Sequence, residues 1–149
     1  MKPSLVLLVS GIFISVILGT SPSQAQVKTN QVNALVEALR QAAPPNRPND
    51  GMYSDWQVLP GIIPDWSKRC AGKTMTPEQF EKDPKMARQV VSCIVKRELQ
   101  TQWNETKNEQ QAVRQTACWW MTGKPKECQS GTLVTYVQKV LNTYQKQLK

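Results

Sequence analysis

The side chains that could carry out chemistry in this 149-residue chain are eleven acidic residues, three tyrosines and four cysteines. The chain contains no histidine. That absence excludes Ser–His and Cys–His nucleophile pairs, histidine-ligated zinc and an imidazole general base. Any reaction would therefore depend on a carboxyl, a phenol or a thiol group, and we expect neither a bound metal nor a cofactor.

The first 25 residues have the pattern of a signal peptide. Lys2 precedes an apolar run over residues 5–18, and Ser23-Gln24-Ala25 supplies small residues where a signal peptidase reads the chain. The run is short for a membrane span, which needs about 18–20 residues. We predict a signal peptide over residues 1–25 and one secreted or periplasmic domain over 26–149, which does not span a membrane once the signal is removed. An uncleaved membrane anchor is the alternative.

Export to an oxidising compartment determines how the cysteines are interpreted. They form an even set in which no pair has the C-x-x-C spacing of metal and redox sites. Two disulfides are therefore predicted, and three pairings are possible. We favour Cys70–Cys93 with Cys118–Cys128, because each bond would tie a helix to a neighbouring loop.

Helix start and stop signals follow residue 75. Thr76 with Gln79 forms a capping-box pattern that predicts a short helix to about Lys82, and Asp83 caps a longer helix to about Trp103. Apolar residues recur along the longer helix at steps of three and four. They are Met86, Val90, Val91, Ile94, Val95 and Leu99.

Two further helices are predicted toward the C-terminus. Thr106 is the predicted cap of the first, and Gly123 ends it. Its predicted buried stripe is Ala112, Val113, Ala117, Trp120 and Met121. The second runs from about residue 132 to 146, with the stripe Leu133, Val137, Val140, Leu141 and Tyr144.

The chain before residue 75 is mixed. An amphipathic helix is predicted from Val32 to Ala42, ending before Pro44 and Pro45. Residues 44–64 are rich in proline and glycine and predict a long, structured loop in which only residues 56–59 resemble a strand. The predicted fold class is therefore all-α: a small helical domain with a long loop between the first helix and the rest.

The chain is basic, with a formal net charge of +8. Its lysines and arginines are scattered and do not form one run, so they fit either a solvated surface or an anionic partner. The anionic partner that we expect outside the cytoplasm is peptidoglycan or another envelope polymer. No nucleic-acid recognition motif is visible, and we expect no nucleic-acid partner.

Four segments carry a resemblance to a known family. Residues 53–68 read YSDWQVLPGIIPDWSK, residues 72–80 read GKTMTPEQF, residues 120–125 read WMTGKP and residues 136–140 read YVQKV. In the same order, they resemble the lytic-transglycosylase-type domains of phage tail and virion proteins, which belong to the lysozyme-like superfamily. The resemblance implies a lysozyme-like helical domain with a groove for a glycan strand.

The resemblance also implies a reaction, cleavage of the β-1,4 bond between peptidoglycan sugars. That reaction needs a protonated carboxyl group beside the leaving oxygen, supplied in the family by a glutamate at the end of the first helix. Ala42 lies at the matching position here. Two other residues are candidate catalytic acids: Asp55, two residues before Gln57, and Glu37, five residues before Ala42.

Four residues are candidates for substrate binding, and three of them match positions of the family. The resemblance implies that Gln57 hydrogen-bonds the glycan, that Trp120 lies beside the groove, and that Tyr136 lies near the catalytic acid. Trp56 is a candidate for stacking on a sugar ring. For each of the four, burial or a structural hydrogen bond is the alternative interpretation.

Three functions fit the sequence. The first is an exported domain that binds peptidoglycan glycan strands or an envelope partner without cleavage, which we favour because the family acid is missing. The second is an active muramidase or lytic transglycosylase that uses Asp55 or Glu37. The third is a structural or inhibitory envelope protein, because a shared fold does not determine function.

Overall fold

A computed structural model describes residues 26–149, and the predicted signal peptide lies outside the described residues. Within that range the only β-structure is an isolated bridge between Tyr53 and Val58. The predicted all-α class is confirmed. The helices are α1 (Thr29–Ala42), α2 (Ile63–Ala71), α3 (Pro77–Lys82), α4 (Pro84–Thr106), α5 (Glu109–Thr122) and α6 (Gly131–Gln147), and the 3₁₀ turn Pro60–Ile62 precedes α2.

Helix α4 is the central element of the fold, because it packs against α1, α2, α3 and α5. Its apolar residues recur every three or four positions, so one face of the helix meets the core along its length. Helix α1 lies against α6 as well as α4, and α6 also contacts α5. The fully buried residues of α4 are Ala87, Val90, Val91, Val95 and Leu99.

The predicted helix starts are confirmed for α3 and α4. The Thr76 hydroxyl accepts a hydrogen bond from the Gln79 backbone amide. The Asp83 carboxylate accepts one from the backbone amide of Met86, the third residue of α4. The predicted cap of α5 was wrong. Thr106 is still part of α4, where its hydroxyl bonds to the backbone one turn earlier, and Asn108 caps α5 instead.

Helix α2 was not predicted, because it lies in the stretch interpreted as loop and directly after it. Pro64 marks a loop in the sequence, yet it sits in the first turn of α2, where proline needs no hydrogen-bond donor. Gly72 ends the helix with a positive φ of 71°. The buried Ser67 hydroxyl holds the following turn by accepting a hydrogen bond from the Met75 amide at 2.9 Å.

The predicted disulfides are confirmed as Cys70–Cys93 and Cys118–Cys128. The first joins α2 to α4, so it links two helices and not a helix and a loop as expected. The second joins α5 to the connection that precedes α6. The first bond therefore holds α2 against α4, and the second holds the connection between α5 and α6 against α5.

Only part of the apolar stripe predicted for α5 is buried in the core. Ala112, Val113 and Ala117 are buried as expected. Trp120 is half-buried and Met121 is 51% exposed. These two side chains face a surface groove instead.

We expect each disulfide to stabilise the fold. Closing loops with sequence separations of 23 and 10 residues restricts the unfolded chain, and bonds of this kind contribute about 2–4 kcal/mol. Urea unfolding of the double serine variants at Cys70/Cys93 and Cys118/Cys128 should show losses in that range, with the larger loss for the longer loop. Parental stability in either variant would contradict this expectation.

Candidate functional site

A surface groove of about 510 Å³ lies where the end of α1, the loop before α2, the end of α5 and the start of α6 meet. Its walls are mostly apolar, and its polar groups are an amide, a phenol and indole N–H groups. All four predicted glycan-contact residues line it. The lining consists of Ala42, Ala43, Pro44, Met52, Trp56, Gln57, Val58, Leu59, Ile62, Trp66, Trp120, Met121 and Tyr136.

Trp56 forms part of the groove wall but is mainly a structural residue. Its indole N–H donates a 2.8 Å hydrogen bond to the backbone oxygen of Val36 in α1, and the side chain is only 4% exposed. This contact anchors the loop to the helix. A ring buried to this degree offers little of its face to a sugar, so the stacking predicted for Trp56 is not what the geometry favours.

A tight turn next to Trp56 sets the direction of Gln57. Two backbone hydrogen bonds between Tyr53 and Val58, at 2.8 and 3.0 Å, close the turn, and Ser54 and Gln57 both have positive φ values. The Gln57 amide nitrogen donates to Asn46 Oδ1 at 3.2 Å and to the Ser54 carbonyl at 3.3 Å. Among the described residues nothing engages the Gln57 side-chain oxygen, so that atom can accept a hydrogen bond from a ligand.

Three half-buried tryptophans form an aromatic cluster at one side of the groove. The Trp66 ring centroid lies 5.6 Å from that of Trp120 and 6.3 Å from that of Trp119, with Trp66 and Trp119 stacked at 18°. Sequence analysis missed Trp119 and the cluster itself. Trp66 belongs to α2 and the other two tryptophans to α5, so only the ring distances in the fold reveal that the three rings meet.

Tyr136 is the second polar group of the groove that was predicted from sequence. Burial raises the pKa of its phenol well above the ordinary value. The hydroxyl therefore stays protonated at physiological pH and is able both to donate and to accept a hydrogen bond.

Neither candidate catalytic acid lines the groove. Glu37 is not among the lining residues; its carboxylate binds Arg40 at 2.7 Å and lies 3.7 Å from Arg88. The Arg40 hydrogen bond lowers the pKa of Glu37 to about 2, so the group is ionised at neutral pH and has no proton to donate. Asp55 is exposed. Ala42, at the position of the family acid, lines the groove with a methyl group.

Two further properties bear on the chemistry of the site. Residues 26–149 contain no group of three or more cysteine, aspartate or glutamate side chains placed to hold a metal ion. Within the same residues, no helix has the length and apolar character needed to cross a membrane.

A comparison of the chain with protein-family models, with curated proteins and with solved structures finds no match. The resemblance to lysozyme-like domains therefore stays a prediction from the four sequence segments.

The Glu37 ion pair gives a testable pH dependence. The pKa of Glu37 in the fold is about 2, below the ordinary 4.5, so its ionised form stabilises the fold above pH 4.5. This stabilisation is lost as the pH falls toward 2. We expect Glu37→Gln to lower the urea unfolding midpoint at neutral pH, and the difference from the parent to shrink as the pH falls from about 4.5 to about 2.

Asp65→Asn is the matched control, because Asp65 forms a helical ion pair with Arg69 but is far more exposed. Exposed pairs of this kind contribute about 0–1 kcal/mol. Its effect on the midpoint should be smaller than that of Glu37→Gln at neutral pH. An unchanged midpoint in Glu37→Gln at neutral pH would show that the carboxylate does not stabilise the fold.

Proposed function

We propose that this chain is an exported domain that binds a glycan strand of peptidoglycan in the groove without cleaving it. The observation that carries the proposal is the convergence of Gln57, Trp120 and Tyr136 on one groove. Three separate parts of the chain supply these residues, and the sequence resemblance had implied that Gln57 bonds the glycan, that Trp120 lies beside the groove and that Tyr136 lies near the catalytic acid.

The chemistry of the lining suits an uncharged sugar backbone. Half-buried tryptophan rings offer apolar faces to the C–H faces of sugar rings, while an amide oxygen and a neutral phenol can bond hydroxyl and acetamido groups. The aromatic rings and the polar groups would then bind the same sugars together. Basic side chains on the rest of the surface would add a salt-sensitive attraction to an anionic wall polymer.

The proposal excludes cleavage because the groove lacks an acid. None of the thirteen residues that line it carries a carboxyl group, and Ala42 stands where the resemblance places the family glutamate. General acid catalysis typically contributes about 10²–10⁴-fold to a rate, so a groove without a carboxylic acid would bind far better than it would react.

Export is the other part of the proposal. The N-terminal pattern of residues 1–25 supports it, and two disulfides fit an oxidising compartment. A secreted or periplasmic location would place the groove in contact with peptidoglycan.

A protein partner in the envelope is the second candidate function. Leu59 is 56% exposed and Met121 is 51% exposed at the edge of the groove. Two large exposed apolar side chains beside an apolar groove are typical of a protein contact surface.

We expect the exported protein to sediment with insoluble peptidoglycan, and Trp120→Ala to weaken this binding. Loss of an aromatic contact costs on the order of 1 kcal/mol, or roughly fivefold in affinity. Binding by the parent should decrease but persist in 1 M salt, where charges are screened beyond about 3 Å. The measurement is the bound fraction as a function of peptidoglycan concentration.

Val134→Ala is the control, because Val134 is an exposed apolar residue of α6 that does not line the groove. It should bind like the parent, and circular dichroism melts should show that both variants are folded. Equal binding by Trp120→Ala and the parent would contradict a role for the groove. Release of soluble fragments faster than from a heat-treated sample would contradict binding without cleavage, and loss of that release in Asp55→Asn would make Asp55 the acid.

A further inference from the structure

The aromatic cluster also borders a second, smaller depression, which we call the recess. This recess measures about 200 Å³ and lies between α2, α4 and the end of α5. Trp66 lines both the groove and the recess, so one ring separates the two. The recess is lined by Trp66, Arg69, Ile94, Arg97, Glu98, Thr101 and Trp119.

The recess differs from the groove in its charge. Arg69, Arg97 and Glu98 line it, whereas the groove lining carries no charged side chain. Arg69 is already bound to Asp65, at 2.9 Å and 2.8 Å. Arg97 is exposed and makes no ion pair within residues 26–149. Its guanidinium is therefore the available cation of the recess.

Glu98 gives the recess an acceptor for a sugar hydroxyl. One of its carboxyl oxygens accepts a 2.7 Å hydrogen bond from the Gln102 amide, which leaves the other oxygen open. Burial raises the pKa of this carboxyl group.

We propose that the recess binds a carboxylate-bearing sugar of the same strand that occupies the groove, with the carboxylate on Arg97 and the sugar ring against Trp119. The three tryptophan centroids lie 5.6 to 6.5 Å apart, so the aromatic surface continues from groove to recess. Guanidinium groups bind carboxylates through two parallel hydrogen bonds, which gives the contact geometric selectivity.

This inference rests on the proposed function and makes it more specific. The groove would hold neutral sugars, and the recess would select strands that carry acidic groups. In peptidoglycan the acidic group is the lactyl carboxylate, which is free once the peptide stems have been removed.

The test compares two soluble tetrasaccharides by isothermal titration calorimetry: a peptide-free peptidoglycan fragment with free lactyl carboxylates, and a neutral N-acetylglucosamine oligomer. We expect the parent to bind the acidic fragment at least fivefold more tightly. Arg97→Gln should remove that preference and leave the affinity for the neutral oligomer unchanged.

Lys96→Gln is the matched control, because Lys96 is an exposed cation adjacent in α4 that does not line the recess. It should keep the preference, which separates a contact at Arg97 from general charge attraction. Trp119→Ala should weaken the binding of both tetrasaccharides. It should leave the binding of a disaccharide unchanged, because the groove alone can hold a disaccharide.

The outcomes separate this inference from the proposed function. If both tetrasaccharides bind in a way that depends on Trp120 while Arg97→Gln keeps the parental preference, the recess has no role and the groove proposal stands. An equal loss in Arg97→Gln and Lys96→Gln would overturn the inference by showing nonspecific charge attraction. If the parent binds neither tetrasaccharide, both proposals fail.

Discussion

The groove depends on one hydrogen bond, from the Trp56 indole to the Val36 carbonyl of α1. A helical carbonyl already accepts one backbone bond and has a second lone pair available, so this contact fixes the loop without disrupting the helix. The Arg88 guanidinium lies 6.0 Å from the Trp56 ring and also reaches Glu37. Trp56 is thereby held from two sides, and the turn that carries Gln57 is fixed beside the end of α1.

Most of the fold could be predicted from the sequence, because its signals are local. Caps such as Thr76 and Asp83 satisfy the first amides of a helix within three residues, and apolar spacing marks the face that will be buried. Helix α2 could not be predicted in this way. Its stability comes from the buried Ile63 and from the Cys70–Cys93 bond to α4, both of which are tertiary contacts.

The candidate site was predictable in its members but not in their roles. Gln57, Trp120 and Tyr136 were identified from sequence resemblance, and all three line the groove. No sequence pattern shows that Trp56 is anchored to α1, or that Glu37 is ionised by arginines from two helices. The first fact depends on residues far apart in the chain, and the second depends on them in part, because Arg40 is only three residues from Glu37 whereas Arg88 belongs to α4. The first contact makes Trp56 a mainly structural residue, and the second leaves Glu37 without a proton to donate at neutral pH.

The most direct test of a glycan-binding groove uses the five tryptophans as reporters. Titration of ¹⁵N-labelled protein with a soluble peptidoglycan glycan fragment can be followed through the indole N–H signals in two-dimensional NMR. We expect the signals of Trp66 and Trp120 to move with added glycan, whereas that of Trp56 stays in place because its N–H is buried and bonded to Val36. Unchanged Trp66 and Trp120 signals at saturating glycan would contradict a glycan-binding groove.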